Sequence, residues 1–194
     1  RTAFLTGRYQ QRVGGLECAI GTGNVGRYDD AIRLRASNDL GLPVAETSLA
    51  RLLKDAGYAT AITGKWHLGY EDKFSPNLHG FDHALYCLGG GMDYFHHIED
   101  SAERGHVLRL NGQPEKREGY ITDLITDRAL EFLRSRRGET PFFLYLPYTA
   151  PHTPLQAPGE KPAAPRTDEN WNEGTRATYA AMVERLDRGI GRVL

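Results

Sequence analysis

Residues 57–69 constrain the fold of this chain more than any other stretch, and their sequence is GYATAITGKWHLG. The apolar run in the first half predicts a short buried strand, and Gly64 predicts the end of that strand. Lys65, Trp66 and His67 follow directly. In α/β folds, ligands bind outside the carboxyl ends of the strands, so these three residues are candidates for chemistry. The local pattern alone fits equally well an exposed lysine, a core tryptophan and a loop histidine.

The composition argues against several classes of function. A chain of 194 residues with 40% hydrophobic and 25% charged residues is ordinary for one globular domain. A net charge of −1 gives no general attraction to nucleic acid or to an anionic membrane. No apolar run approaches the ~20 residues of a transmembrane helix. Cys18 and Cys87 lack the spacing of a disulfide framework or a metal site, and the sequence leaves open whether they pair.

Both ends of the sequence indicate an internal piece of a longer domain. The chain has no initiator methionine and begins at Arg1, directly at a predicted helix. It stops at Leu194 within an apolar run that has no cap or tail. We therefore expect residues 1–194 to be one partial domain, truncated at both ends, and no compartment can be read from it.

Two helix-then-strand units predict the fold class. The first helix is predicted to start at Glu46 and Thr47, and it leads into a strand over residues 58–62. The second helix, over 121–136, leads into a strand over 142–146 that is apolar on both faces, which predicts burial between two layers. This alternation predicts an α/β fold with a largely parallel sheet flanked by helices. In the helix that starts at Glu46 and Thr47, the expected core positions are Leu49, Leu52, Leu53 and Ala56. In the last helix of the chain, they are Tyr179, Met182, Val183, Leu186, Ile190 and Val193.

The other segments have weaker patterns. Residues 89–91 are three glycines, which allow a close approach of the backbone but are also common in plain loops. His96 and His97 are adjacent, so in a strand they would point to opposite faces, and we interpret them as loop histidines. The remaining predictions are a short helix over 1–6, an irregular region over 8–40, a partly extended stretch over 81–88 and a β-hairpin over 107–115 that turns at Asn111 and Gly112.

Each of the two predicted strands delivers a histidine just past its carboxyl end. His67 follows the first strand together with Lys65, and His152 follows the second within a stiff segment that contains three prolines. If the strands are neighbours in one parallel sheet, the three side chains converge on one crevice. A lysine cation and a histidine that can carry a proton suit the hydrolysis of an anionic ester. These residue types do not distinguish sulfate from phosphate.

Three stretches resemble the type I, formylglycine-dependent sulfatases, a family within the alkaline-phosphatase-like fold. Residues 57–69 resemble the second signature of this family. Residues 1–8, RTAFLTGR, resemble the end of the first signature, in which Cys-x-Pro-x-Arg is followed by x-x-x-Leu-Thr-Gly. Residues 141–154 resemble the segment that supplies an active-site histidine. The resemblance covers nearly the whole chain. The sequence is similar to arylsulfatase B-like and bacterial exosulfatase sequences, which implies hydrolysis of aryl or carbohydrate sulfates.

The resemblance also implies a role for each matched residue. Arg1 matches the arginine that holds the nucleophile and the neighbouring metal ligands. Lys65 matches the lysine that binds the sulfate group. His67 matches the histidine that takes the proton of the formylglycine hydroxyl when the sulfated intermediate collapses. His152 matches the histidine that contacts the sulfate and helps the alcohol to leave.

Several parts of the family site are expected outside this sequence. The resemblance places the nucleophile four residues before Arg1, as a formylglycine made from Cys or Ser by a formylglycine-generating enzyme. It places the ligands of a Ca²⁺ ion before Arg1 and after Leu194, so no metal ligand is assigned within the chain. Cys18 lacks the context for conversion, and we interpret Asp29 and Asp30 as a solvated loop. We expect residues 1–194 alone to have no sulfatase turnover and no tight Ca²⁺ site.

Other interpretations remain open at this point. The resemblance implies a periplasmic, secreted or lysosomal protein. Some members of the family carry a hydrogen-bonding serine near residues 89–91, where this chain has only glycine. The expected partner is a sulfated small molecule or glycan. The alternatives are a phosphate or phosphonate ester hydrolase of the same superfold, or an inactive homologue that binds sulfated glycans. The residue four positions before Arg1 would separate them.

Overall fold

The computed structural model describes residues 1–13, 33–34, 36–99, 107–136 and 138–194. The features predicted at Cys18, Asp29 and Asp30 lie outside these residues. The main helices are α1 (Thr2–Thr6), α2 (Leu49–Asp55), α3 (Ile121–Ser135) and α4 (Arg176–Val193), with 3₁₀ turns at Gln10–Arg12, Asp72–Phe74 and Pro76–His79. The strands are β1 (Ala59–Lys65), β2 (His83–Cys87), β3 (Arg109–Leu110), β4 (Gln113–Pro114) and β5 (Phe142–Tyr145).

The strands form one five-stranded sheet in the order β4-β3-β2-β1-β5. Strand β1 is parallel to both of its neighbours, β2 and β5, so the two strands predicted to carry the histidines do lie side by side. Strands β3 and β4 extend the sheet as an antiparallel hairpin. Its turn is the predicted one, with positive φ angles of 49° at Asn111 and 87° at Gly112.

Helices cover both faces of this sheet. Tyr86 of β2 packs with Leu5 of α1 and Ala50 of α2 in one core cluster. Its neighbour Leu85 packs in a second cluster that includes residues of α3 and Met182 of α4. Because successive side chains of a strand point to opposite faces, the two clusters lie on opposite sides of the sheet. The predicted α/β fold is confirmed, and so is the core position of Met182.

Strand β1 continues past the glycine that was expected to end it. Gly64 has a φ of 128°, yet the strand runs on to Lys65. The amide of Lys65 donates to the carbonyl oxygen of Pro147 at 2.6 Å, and that of Trp66 donates to Cys87 at 2.9 Å. Pairing with the chain on both sides therefore extends the strand, and the prediction that Gly64 breaks it is wrong.

Helix α2, predicted to start at Glu46 and Thr47, begins later than predicted and buries another face. Its N-cap is Ser48, whose Oγ accepts a hydrogen bond from the amide of Arg51 at 3.1 Å, rather than Glu46 or Thr47. Ala50 is fully buried, whereas Leu52 is 58% exposed. The predicted stripe was wrong at Leu52 and at Ala56, which are both exposed, because the helix turns the side of Ala50 towards the core.

Two other burial predictions were also wrong. Strand β5 pairs only with β1 in the described sheet, so Phe142 at its start is exposed and the rest of the strand is half-buried. In α4, Tyr179, Val183 and Ile190 are exposed because this helix packs on α3 through its other side.

No helix in the described parts of the chain is long and apolar enough to cross a membrane.

Trp66 anchors the chain directly after β1. Its side chain is fully buried, and its Nε1 donates to the carbonyl oxygen of Phe74 at 2.7 Å. The rings of His79 and Phe81 lie 5.3 and 6.2 Å from it, between ring centroids. The core interpretation of Trp66 is thus correct. Its two flanking positions are therefore held in place by a large buried side chain.

His79 makes the stability of this core dependent on pH. Burial, followed by the charge of Arg51, lowers the pKa of this histidine from 6.5 to about 4. As the pH falls below 6.5, the unfolded state binds the proton before the folded state does. The free energy of unfolding is therefore intact above pH 6.5 and is lost as the pH falls towards 4, by about 3 kcal/mol from this group.

We expect His79→Gln to reduce this pH dependence. The measurement is the free energy of unfolding by urea at several pH values between 4 and 6.5. The variant should lose less stability than the wild-type protein on acidification, although His67 still contributes to both. An identical pH dependence in the two proteins would contradict the assignment.

Candidate active site

The backbone around β1 fixes Lys65 and His67. Lys65 is the last residue of the strand and is only 9% exposed. Two residues later, the amide of His67 donates to the carbonyl oxygen of Leu88 at 3.0 Å, so the chain stays paired beyond the end of β2. His67 has a positive φ of 55°, an uncommon conformation for a residue other than glycine. Both side chains are thus held at the carboxyl edge of the sheet.

His152 is brought to the same edge by the chain that follows β5. The carbonyl oxygen of Pro147 accepts the amide hydrogen bond of Lys65, which links the two segments directly. A turn then closes between the amide of His152 and the carbonyl oxygen of Thr149, at 3.0 Å. His152 keeps an exposed side chain. The expected convergence of Lys65, His67 and His152 at one edge therefore follows from the pairing of β1 with β5.

Two consecutive glycines lie against the two imidazole rings. A Cβ atom added at Gly90 would lie 3.1 Å from Nε2 of His67. One added at Gly91 would lie 2.9 Å from Nδ1 of His152. Both distances are shorter than ordinary van der Waals contacts. Of the two interpretations of residues 89–91, the close approach of backbone to a functional group is the one the structure supports.

Arg1 ties the start of α1 to both strands. Its Nη1 atom donates to the carbonyl oxygen of Lys65 at 2.8 Å and to the hydroxyl of Tyr145 at 3.0 Å. The ring of Tyr145 in turn stacks on Phe4, with 5.6 Å between centroids. Arg1 therefore belongs to the same edge of the sheet as the three convergent residues. Tyr145 was not a candidate in the sequence, since it lies within an apolar strand.

His67 is held in its neutral form. Burial is the largest cause, and the positive charges of Lys65, Arg1 and His152 add to it, so that the pKa of His67 falls from 6.5 to about 3. Its Nε2 atom is buried and has no hydrogen-bond partner among the described residues. A neutral imidazole with a free nitrogen can accept a proton or a hydrogen bond from a group that enters the site.

The hydrogen bond of His152 defines which of its nitrogens can react. Its Nδ1 lies 2.8 Å from the carbonyl oxygen of Thr153. Because a carbonyl oxygen can only accept, Nδ1 carries a hydrogen and donates. The Nε2 atom is therefore the one that can exchange a proton with a substrate.

The other candidate groups are structural. Within the described residues, Cys87 is a buried free thiol, and burial raises its pKa, so it is not a nucleophile. His96 contacts Asp93 within a turn, and Nε2 of His97 lies 3.0 Å from the carbonyl oxygen of Gly119, as expected for loop histidines. In the ranges that the structure describes, no three His, Cys, Asp or Glu side chains form a group that could hold a metal ion.

Comparison with known proteins identifies the family. The family model named Sulfatase matches residues 1–194. The chain belongs to the sulfatase family. It is 34% identical to mouse arylsulfatase J over 199 aligned positions, which cover 100% of this chain and 30% of that protein. It is 31% identical to the arylsulfatase of Klebsiella aerogenes, over 96% of this chain and 39% of that protein.

A solved structure has the same fold. The crystal structure of Ps i-CgsB in complex with k-i-k-neocarrahexaose is 33% identical to this chain, with a TM-score of 0.73 over 98% of this chain and 42% of that one. The predicted alkaline-phosphatase-like fold is therefore confirmed. This sulfatase chain spans about a third of the curated relatives it matches, since it covers 30% and 39% of their lengths.

Proposed function

We propose that the protein to which this chain belongs hydrolyses sulfate esters to an alcohol and sulfate. The observation that carries this proposal is the convergence of a buried lysine and two histidines where β1 pairs with β5. Fixed positive charge at such a site favours an anionic ester and stabilises the charge that grows as it reacts. Membership of the sulfatase family makes sulfate the expected anion.

The residues of the chain take complementary roles in this proposal. Lys65 binds the sulfate oxygens with a cation that is largely withdrawn from solvent. His67 is neutral, and its buried Nε2, which has no hydrogen-bond partner among the described residues, bonds to the group that enters the site. In its imidazolium form, in which both ring nitrogens carry a hydrogen, His152 donates the proton of Nε2 to the oxygen of the leaving alcohol, while Nδ1 keeps its hydrogen bond to the carbonyl oxygen of Thr153. Arg1 holds the carboxyl ends of β1 and β5 together at the site.

The groups expected outside the chain complete the site. A formylglycine would supply the attacking oxygen, and a Ca²⁺ ion would supply further positive charge. Family membership supports both, while the calcium ligands and the modified residue remain expectations for the parent protein. The proposed substrate class includes carbohydrate sulfates, because the solved relative was crystallised with an oligosaccharide. It also includes aryl sulfates, because other relatives are named arylsulfatases.

The test is a comparison of two esters with the same leaving group. The full-length protein should hydrolyse 4-nitrophenyl sulfate with a kcat/KM at least about 10²-fold above that for 4-nitrophenyl phosphate, since family membership makes sulfate the expected anion. Mass spectrometry of the peptide that precedes Arg1 should show a formylglycine four residues upstream. A preference for the phosphate would favour the phosphoryl-transfer alternative. No turnover of either ester, together with a residue four positions before Arg1 that cannot form a formylglycine, would favour a binding protein.

A further inference from the structure

The main chain at His152 is held by a buried tyrosine. Tyr94 is fully buried, and its hydroxyl donates to the carbonyl oxygen of His152 at 3.0 Å. The two residues are 58 positions apart in the sequence. Because a hydroxyl removed from water without a partner is costly, Tyr94 keeps this bond and fixes the position of the His152 backbone.

A network of buried polar groups fixes Tyr94 itself. Its amide donates to Oε1 of Gln156 at 2.8 Å, and Nε2 of Gln156 donates to Oδ2 of Asp93 at 3.1 Å. Gln156 and Asp93 are both fully buried. Asp93 also accepts the amide of Arg166 at 2.9 Å. The network thus joins the turn at Asp93 to the chain that follows His152, and a fully satisfied buried network of this kind is rigid.

The imidazole of His152 is bounded from another direction. A Cβ at Gly91 would lie 2.9 Å from its Nδ1 and 2.8 Å from the carbonyl oxygen of Thr153 that this nitrogen donates to. Gly91 and Tyr94 belong to one short segment, and both meet His152. Within this segment, Tyr94 therefore fixes the main chain of His152, and Gly91 leaves the space that the imidazole ring occupies.

We propose that Tyr94 is a positioning residue for proton donation by His152. This inference rests on the proposed function of the site. As the attacking oxygen bonds to sulfur, the bond between sulfur and the leaving oxygen breaks and its electron pair goes to the leaving oxygen. That oxygen takes the proton from Nε2 of His152, which starts as the imidazolium and ends neutral with its hydrogen on Nδ1. Loss of the Tyr94 hydroxyl frees the His152 carbonyl oxygen and misplaces Nε2. General acid catalysis depends on hydrogen-bond geometry, so the proton arrives less effectively.

The consequence depends on the leaving group. A phenol needs the proton more than 4-nitrophenol does, because 4-nitrophenolate is a stable anion and leaves with little help. In the full-length protein we expect Tyr94→Phe to lower kcat/KM for phenyl sulfate by about 10-fold, and for 4-nitrophenyl sulfate by less than about 3-fold. Gly91→Ala crowds the ring from the other direction and should show the same selective loss for phenyl sulfate.

Tyr148→Phe is the matched control. Tyr148 lies on the segment that carries His152, and its hydroxyl is 2.8 Å from Oγ1 of Thr126 on α3. The substitution removes a tyrosine hydrogen bond of similar length without touching the His152 carbonyl oxygen. It should change kcat/KM for the two sulfates by equal factors, at a loss of thermal stability similar to that of Tyr94→Phe.

The outcomes separate this inference from the proposed function. Equal losses for both sulfates in Tyr94→Phe would overturn the positioning role and leave Tyr94 with a purely structural one. A wild-type protein that prefers phosphate esters would instead overturn the proposed function. Phenyl and 4-nitrophenyl phosphate would then give the same comparison, and selective loss for the phenyl ester would still support the role of Tyr94.

Discussion

Lys65→Ala is expected to lower kcat/KM of the full-length protein for an aryl sulfate by about 10²-fold or more. Lys65 is 9% exposed at the end of β1, so its charge is screened little by solvent and acts strongly on a bound anion. The same charge is the second cause, after burial, of the lowered pKa of His67. The variant should therefore also raise the pKa of His67, which can be followed through its imidazole NMR signals.

His152→Ala should produce a loss of similar size for a different reason. Its Nε2 is the nitrogen available for proton donation, since Nδ1 is bonded to Thr153. General acid catalysis contributes about 10²- to 10⁴-fold to a rate. The loss should be larger for phenyl sulfate than for 4-nitrophenyl sulfate, whereas the loss in Lys65→Ala should be nearly independent of the leaving group.

Two variants away from the carboxyl edge of the sheet serve as controls for these experiments. Lys54→Ala removes the same charge from an exposed ion pair with Asp82, away from the carboxyl edge of the sheet. His83→Ala removes an imidazole from the first residue of β2, at the opposite end of that strand from the site. Both controls should keep kcat/KM close to that of the wild-type protein. Wild-type rates in Lys65→Ala and His152→Ala would refute the assignment of the site.

The sequence indicated which candidate groups would lie together at this edge of the sheet because their signals are local. Lys65 and His67 follow an apolar strand directly, and His152 follows another within a proline-rich segment. The side-by-side pairing of these strands, needed for convergence, is what the helix-then-strand order favours. Local pattern and tertiary structure agree here.

The supporting residues could not be predicted because their roles arise from contacts between distant segments. In the sequence, Tyr94 is an ordinary aromatic residue. Its role depends on the hydrogen bond that its hydroxyl donates to the carbonyl oxygen of His152, 58 positions away. Gln156 lies in a stretch without periodicity, and its buried side chain donates a hydrogen bond to Asp93, 63 positions away. Periodicity also misplaced Leu52 and Tyr179, since it shows which residues are apolar without showing which side of a helix meets another layer.

Gly64→Ala is expected to lower the free energy of unfolding of the full-length protein by more than about 3 kcal/mol, or to prevent folding. Gly64 has a φ of 128°, which side chains rarely adopt, and an added Cβ would lie 2.8 Å from the carbonyl carbon of Pro147 and closer still to its oxygen. That oxygen accepts the amide of Lys65, so the collision falls on the bond that joins β1 to the segment carrying His152.

Gly57→Ala separates backbone strain from this collision. Gly57 has a positive φ of 88°, but an added Cβ there would meet no atom within 4 Å. Its cost should therefore be the conformational term alone, about 1–2 kcal/mol. Urea unfolding of both variants measures the difference, and kcat/KM for 4-nitrophenyl sulfate should fall only in Gly64→Ala, because only there do Lys65 and Pro147 have to separate. Equal destabilisation in the two variants would show that strain alone requires the glycine, and that residues 57–69 do not need close pairing with Pro147 to place Lys65.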